Sequence, residues 1–446
     1  MQDTSHKVIA DDMRSKPSFR DALAVWMRIG LLSFGGPTGQ IALMHRTIVE
    51  DKKWVDDGRF LNALNFCMLL PGPEAMQLAT YTGWWLHGLK GGLAAGLLFV
   101  LPGAFVVLAL SMIYAAFGNV PAIEALFLGI KAAVLVIVIE ALLRISKRAL
   151  KGPEHWVLAA LSFVAIFFFG APYPLLVFAA ACIGYVLAVR QGAGKGAAAA
   201  LAETVHGVPM SRTLGTAALW LAIWIVPLLV IASIFGKGHV LAQIGYFFSK
   251  LAVVTFGGAY AVLAYMGQDV ATQYGWITAG EMMDGLGLAE TTPGPLILVT
   301  EFVGYLAGYR HGGGGPSMAM GIAGAVVTLW ATFAPCFLWV FTGAPYVEWL
   351  NSQPKLKGAL AGVTAAVVGV ILNLAIWFAL HVFFGKVTLN KMGVLKLWTP
   401  DLATLDGRIV VLAAVSAFLL LWRHWNVIAV LAIASLGALA MSFMLA

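Results

Sequence analysis

The stretch Leu69-Leu70-Pro71-Gly72-Pro73-Glu74 lies in the middle of an apolar run from about Phe60 to Leu86. Its prolines lack the N–H a helix needs and clash with the preceding turn, so no continuous α-helix passes through it. One half-helix ends there and another begins, with Pro73 suited to a first helical position. The same signature returns as Thr292-Pro293-Gly294-Pro295, 222 residues later (293 minus 71). At that offset Phe34-Gly35-Gly36 matches Phe256-Gly257-Gly258, Trp54 matches Trp276, and Arg28 matches Lys250. Beyond Pro-Gly-Pro the offset becomes 233, pairing Pro102 with Pro335, Pro121 with Pro354, and the run from Gly129 to Val134 with Gly362 to Val367. The 11 extra residues (233 minus 222) fit an insertion around Tyr309-Arg310-His311 and Gly312 to Gly315. The chain is one module written twice, and each copy carries two breaks in its apolar elements.

The 446 residues are 61% hydrophobic and only 11% charged, against about 25% charged in a soluble domain. That composition is a polytopic membrane protein. The net charge of +7 comes from basic residues in loops between apolar runs. It reflects positive-inside bias and not a nucleic-acid footprint. Cys67, Cys182 and Cys336 are far apart within or beside apolar runs, which makes them buried small hydrophobes and neither a disulfide framework nor a metal site. The residues up to Arg20 are polar and charged without an apolar core, so no cleavable signal peptide is expected.

The fold class read from these features is an all-α polytopic membrane protein. It has two inverted-topology repeats of about six apolar elements each, with broken or re-entrant helices, plus one linking helix. The expected parts are a cytoplasmic tail (1–20), an N-terminal membrane repeat (21–190), a linker with a connecting helix (191–238) and a C-terminal membrane repeat (239–446). The linker, from Arg190 to Arg212, is rich in Gly and Ala and carries Lys195, Glu203 and His206, and the connecting element runs from Leu214 to Phe235. An odd number of crossings separates equivalent points of the copies, so they are inverted, as alternating access uses. Arg144, Lys147, Arg148, Lys151, Arg190, Lys195, Lys355, Lys357 and Arg423 all fall on the cytoplasmic side when the N-terminus is inside. Arg46, Lys52, Lys53 and Arg59 join them only if the first two broken elements re-enter instead of spanning. Their acidic counterpart, with Asp269, Glu281 and Asp284, then lies outside. Re-entry is the preferred expectation, and inversion survives either choice.

Broken helices in a bilayer leave backbone groups unpaired, which is tolerated only where protein or a water-filled cavity covers them. Half-helices starting at Pro73 and Pro295 would present free N–H groups and the positive end of a dipole to such a cavity. Phe34-Gly35-Gly36 and Phe256-Gly257-Gly258 allow close backbone approach, and glycine pairs can form an N–H concavity for an anion. Kinks made only for helix packing explain one such motif equally well; four breaks in repeated register favour a site for a small oxyanion. Arg28 and Lys250, each six residues before a Phe-Gly-Gly, are intramembrane cations that could clasp a divalent anion. Structural ion pairs or snorkelling are the alternative. Lys131 is a weaker candidate, because its counterpart is Thr364 and a neutralising pair with Glu140 or Glu124 fits equally. Glu74, Glu290 and Glu301 are candidates for proton coupling, with a helix-capping role for Glu74 weighted equally. Gln77, Thr80, Thr291, Thr292 and Thr300 supply neutral donors beside the breaks, and Gln40 and Asn65 do so or only pack. The histidines show no metal-ligand spacing, and nucleophile-elbow, His-Glu-x-x-His and phosphate-loop motifs are absent from the sequence. No enzyme, cofactor or metal is expected.

Ser33-Phe34-Gly35-Gly36-Pro37, Trp54, Leu70-Pro71-Gly72-Pro73-Glu74-Ala75 and Gln77-Leu78-Ala79 together resemble the chromate ion transporter family. Phe256-Gly257-Gly258, Thr291-Thr292-Pro293-Gly294-Pro295 and Glu301-Phe302-Val303-Gly304 resemble the second half of its long-chain members, so the likeness covers nearly the whole chain. The resemblance implies a bacterial inner-membrane secondary transporter that expels chromate, driven by the proton-motive force, and confers chromate resistance. Its partners would be a divalent oxyanion (chromate, with sulfate as the chemical relative), protons as coupling ion and the lipid bilayer. A sulfate or other small-oxyanion transporter and an anion channel share these features, and a homodimer is left open. The family's motifs fall on Phe34, Gly35, Gly36, Pro71, Gly72, Pro73, Phe256, Gly257, Gly258, Pro293, Gly294 and Pro295; Arg28, Gln77, Lys250 and Thr292 complete the expected binding set. Pro37 is replaced by Ala259 in the second copy, so unequal contributions are expected from the two halves.

Overall fold

The computed structural model describes residues 17–118, 120–191, 209–256 and 258–445. Gly257, most of the expected tail, and the linker residues Lys195, Glu203 and His206 lie outside the described residues.

The first copy opens with α1 (Phe19–Leu32), whose N-terminus is capped by Ser18 accepting from the Asp21 amide. The chain breaks at Ser33-Phe34-Gly35 and continues as α2 (Gly36–His45), a π-helical turn (Arg46–Asp51) and α3 (Asp57–Leu69), which Asp56 caps. Pro71-Gly72-Pro73 then separates α3 from α4 (Glu74–Phe117). This last helix has two limbs, because His87 and Gly88 leave helical geometry and Gly88 takes a φ of 62°. The reversal falls between the apolar runs that end at Leu86 and resume at Gly91, where glycine admits the left-handed backbone, and Pro102 lies inside the second limb.

Contacts show that the broken pairs are re-entrant. His87 Nε2 lies 2.8 Å from the Pro17 carbonyl, and its ring packs on Phe19. Arg59, at the start of α3, sits 4.5 Å over the Trp85 ring, and His45, at the end of α2, packs on Phe60. The start of α1, the end of α2, the start of α3 and the end of the first α4 limb therefore share one face. We call it the basic face, since Arg46, Lys52, Lys53 and Arg59 lie on it.

The second copy repeats this with α9 (Val240–Val254), α10 (Ala259–Thr272), α11 (Ala279–Thr291), and α12 (Val299–His311) after a 3-10 turn (Leu296–Leu298). The first copy closes with α5 (Pro121–Ala149), α6 (Pro153–Phe167) and α7 (Tyr173–Arg190), and α8 (Met210–Phe235) stands between the copies. Phe247 of α9 packs on Tyr265 of α10 and on Trp276, and Arg310 at the end of α12 pairs with Glu281 at the start of α11. Tyr114, at the far end of α4, donates to Asp284 near that same start. So the second set re-enters from the opposite face, and the copies are inverted. The loop hydrogen bonds repeat as well: Trp54 N to Ile48 O (2.9 Å) and Trp276 N to Val270 O (3.0 Å).

The second copy closes with α13 (Met318–Gly343), α14 (Pro354–Phe383), α15 (Gly407–Ala417) running into a π-helical turn (Phe418–Trp422), and α16 (Val427–Leu445). Among the described residues seven helices are long and apolar enough to cross a membrane. Small residues let them approach closely: a Cβ on Gly184 of α7 would strike the Gly358 carbonyl and Gly362 of α14. Between α14 and α15 the sequence reading missed a β-hairpin, β1 (Val387–Met392) and β2 (Leu395–Pro400), turned at Gly393. It docks on the α6–α7 loop through Lys396 N to Phe168 O at 2.7 Å. This hairpin marks the face opposite the basic one.

Candidate functional site

The four breaks meet through their backbones. The Gly72 N–H donates to the Thr255 carbonyl and the Gly294 N–H donates to the Ser33 carbonyl, each at 2.9 Å. Each Pro-Gly-Pro is thus fastened to the Phe-Gly-Gly of the other copy. Ser33 Oγ donates to Ile29 O and Thr255 Oγ1 to Leu251 O, each at 2.6 Å, so even the side chains beside the breaks repeat. Gly72 (φ 123°) and Gly294 (φ 95°) adopt a backbone that side chains resist, which fixes glycine at both crossing points. Gln40 Nε2 reinforces one crossing, donating to Gly294 O at 2.6 Å, and Gln77 Nε2 binds Pro71 O at 2.7 Å. Thr80, Thr292 and Thr300 spend their hydroxyls on carbonyls of their own segments, as does the half-buried Thr291. Asn65 is exposed. Pro71, Pro73, Pro293 and Pro295 shape this crossing and carry no polar group into a cavity.

Beside the Gly294–Ser33 crossing, the first by the order of the Phe-Gly-Gly motifs, lies a polar cavity of about 320 Å³, lined by Phe34, Gly35, Gly36, Glu140, Arg144, Tyr260, Glu290, His424 and the α15–α16 turn. The N-terminus of α2 opens into it without a side-chain cap, and Gly35 (φ 82°) and Gly36 (φ 70°) turn the backbone there. Its first-turn N–H groups and positive dipole end form a ready anion-binding surface. Arg144, half-buried at the C-terminal end of α5, adds a fixed positive charge with a planar fork for oxyanion oxygens. Tyr260 donates to Glu290 Oε1 at 2.6 Å, and the charges of Arg144 and Glu140 both act on this pair.

The expected binding set is therefore divided. Phe34, Gly35, Gly36 and Glu290 line the cavity. Arg28 does not reach it: it is exposed on α1 beside the exposed Met27 and Leu31. Lys250 is also exposed and lies 5.6 Å from the Tyr265 ring. Glu301 is buried with Oε2 unpartnered and is not among the residues that line the cavity. Glu74 is half-buried, and its Oε1 lies 3.9 Å from where a Cβ on Gly258 would stand. Phe256 borders a separate, apolar cavity of about 540 Å³ with Leu69, Leu70, Val254 and Phe178. Lys131 pairs with Asp284 at 3.4 Å, and with neither Glu140 nor Glu124. Lys131 and Asp284 lie on neighbouring elements from different copies, which no local spacing reveals.

Sequence reading missed Arg144 and Tyr260 as site residues. Arg144 stands among Lys147, Arg148 and Lys151 and reads as one more loop charge. The available signal was its spacing, four residues after Glu140 on an otherwise apolar helix. Among the described residues no group of three His, Cys, Asp or Glu could hold a metal.

Comparison with known proteins gives a consistent picture. The chromate transporter family matches residues 20–185 and 242–440, one segment per copy. A chromate transport protein of Pseudomonas aeruginosa is 31% identical over 429 residues, covering 94% of this chain and 92% of that protein. A chromate transport protein of Cupriavidus metallidurans is 30% identical over 374 residues, 83% of this chain and 85% of its own. A probable chromate transport protein of Synechococcus elongatus is 27% identical over 356 residues, 79% of this chain and 83% of its own. No solved structure matches the chain.

Proposed function

This chain belongs to the chromate transporter family, and on that premise we propose that it exports chromate through the cavity between its two copies. The observation that carries the reading is the cavity itself. An uncapped helix N-terminus at Gly35-Gly36 and the Arg144 guanidinium face one polar space of about 320 Å³, a volume suited to a small oxyanion with part of its hydration. The cavity reaches the α15–α16 turn with Arg423 and His424, on the same face as Arg144 and Lys147. Positive-inside bias makes that face cytoplasmic and puts the start of α1 inside. Chromate would enter there from the cytoplasm and leave at the hairpin face, out of the cell, which gives resistance.

Coupling to the proton-motive force follows from charge. A dianion beside Arg144 also meets Glu140 and Glu290, and like charges within about 4–6 Å oppose one another strongly in a partly dry site. Proton uptake by Glu290, held by Tyr260, relieves that repulsion. The test is chromate uptake into inverted membrane vesicles, with and without a pH gradient, for the natural protein and Arg144→Gln at equal protein level. Gradient-sensitive uptake that collapses in Arg144→Gln is the expected result. Unchanged uptake in the variant would remove Arg144 from the site, and indifference to both gradient and potential would remove the coupling. Sulfate competition in the same assay decides between a chromate-selective site and a general divalent-oxyanion site.

A further inference from the structure

Between the cavity and the hairpin face, the seam of the two copies holds a second ionic constellation. Asp284 of α11 is 2% exposed. Its Oδ2 accepts from the Tyr114 hydroxyl of α4 at 2.8 Å and lies 3.4 Å from Lys131 Nζ of α5. Its Oδ1 is buried without a partner. The other charges nearby are Glu281, three residues earlier on α11, and Arg310 of α12, which pair with each other. Where α10 and α14 converge on this helix, Gly267 and Leu374 surround Met282 and bring no charge. Glu290 of the cavity follows Asp284 by six residues, about 9 Å along the helix at 1.5 Å per residue. Lys131 keeps 24% of its side chain exposed while Asp284 keeps 3%, so the cation is wet and the carboxylate is dry.

A buried ion pair across the seam of the two copies adds little to stability, since its desolvation penalty offsets its attraction. It also need not leave an oxygen unpartnered, which a structural pair normally avoids. We propose that Lys131 and Asp284 form a second station for the oxyanion near the hairpin face, at which a proton taken by Asp284 releases Lys131 to the anion. The proton comes from water on the hairpin side, reached past the exposed part of Lys131. It adds to the unpartnered Oδ1, while Tyr114 keeps its hydrogen bond to Oδ2. The neutral acid no longer holds the ammonium, whose positive charge then passes to a divalent oxyanion arriving from the cavity. The proton then leaves toward the cavity and its face, opposite to the anion's direction, and its loss restores the pair and expels the anion to the hairpin side. The station rests on the reading that an oxyanion crosses between the copies.

The test uses the full chain in proteoliposomes with chromate as probe, and the natural protein is compared with Asp284→Asn, Lys131→Gln and the double variant. Asp284→Asn, fixed in the neutral state, cannot re-form the pair that expels the anion, so chromate exchange is expected to fall about tenfold or more and to lose its acceleration by a pH gradient. Lys131→Gln is expected to lower exchange about tenfold or more, and the double variant is not expected to recover it. Recovery of both properties in the double variant, or a gradient response intact in Asp284→Asn, would overturn the station and leave a structural pair. Tyr114→Phe, which spares both charges, covers the case in which a charge variant fails to fold: it should move the pH midpoint of exchange without changing its maximum. An unmoved midpoint counts against the proposal. Infrared difference spectra over about pH 5 to 9 read the Asp284 carboxyl with no anion present. A protonated-acid band that Asp284→Asn removes supports the proposal even if the natural protein carries no chromate, an outcome that would sink the transport reading alone. Absence of such a band overturns the station.

Discussion

The two crossings share a skeleton and differ in what surrounds it. At both, a Pro-Gly-Pro amide bonds the carbonyl before the other copy's Phe-Gly-Gly at 2.9 Å, and a hydroxyl bonds back one turn at 2.6 Å. The linings have diverged. By the offset of 222, Glu290 corresponds to Met68 and Thr291-Thr292 to Leu69-Leu70; by the offset of 233, Glu140 corresponds to Asn373 and Arg144 to Trp377. The first crossing opens on a polar cavity with Arg144, the second on an apolar one. The start of α10 is faced by Glu74 near Gly258, where the start of α2 faces open space. At the position matching Glu74 the second copy has Leu296. The second crossing thus carries a carboxylate of its own where the first is open to a mobile anion. Backbone symmetry suits a molecule that opens to either face in turn, and on the proposed reading the side-chain asymmetry puts the anion at one end of it.

The largest expected effect separates the linings. Arg144→Gln should lower chromate flux about 10- to 100-fold, the worth of one charged hydrogen-bonding group, while Trp377→Phe at the matched position, which keeps that buried site filled by an aromatic ring, should leave flux within about twofold. Equal losses would mean that the site straddles both crossings. The skeleton should respond symmetrically instead. Gly72→Ala and Gly294→Ala each force a side chain into the left-handed region, at about 1–2 kcal/mol, and each should lower the thermal midpoint of the detergent-solubilised protein by a similar amount. A strongly unequal pair would show that one crossing, and not both, holds the copies together. Glu290→Gln keeps a hydrogen-bonding group for Tyr260 and removes a charge. Flux should stay within about fivefold, with its pH dependence flattened; a pH profile matching the natural one would return Glu290 to structure.

The sequence disclosed much of this skeleton and little of the lining. Repeats, inversion and breaks are written in Pro, Gly and apolar spacing, which act locally and show in one dimension. The re-entrant arrangement followed from loop charges, since only hairpins bring Arg46, Lys52, Lys53 and Arg59 to the face that carries Arg144 and Lys147. The lining is a matter of which side of a helix meets which neighbour. Arg144 reads as a loop charge until α5 is seen to run beside α11 and the α15–α16 turn. Asp284 and Lys131 meet across 153 positions (284 minus 131), and no period or motif announces that. The β-hairpin from Val387 to Pro400 was missed for a different reason: it is short, lies between apolar helices, and carries lysines that read as loop.

Arg28 gives the smallest expected effect and the sharpest check on symmetry as a guide to function. It matches Lys250 in register, and a charge kept at both positions invites a shared role in holding the anion. Both side chains are exposed, however, and neither borders the polar cavity. An exposed arginine on a helix edged by Met27 and Leu31 gains most by extending its long stem along apolar surface and carrying its head to water or lipid phosphate. Arg28→Ala should therefore change chromate flux by less than about twofold, within the range of an exposed charge. The measurement is initial uptake into inverted vesicles at matched protein level, beside Arg144→Gln. A collapse in Arg28→Ala as large as that in Arg144→Gln would mean that α1 rotates to bring this face inward during transport, and the cavity would then be only one of the anion's stations. A twofold change or less leaves the charge match between Arg28 and Lys250 as a trace of duplication, kept by the surroundings of the two hairpins and not by the anion.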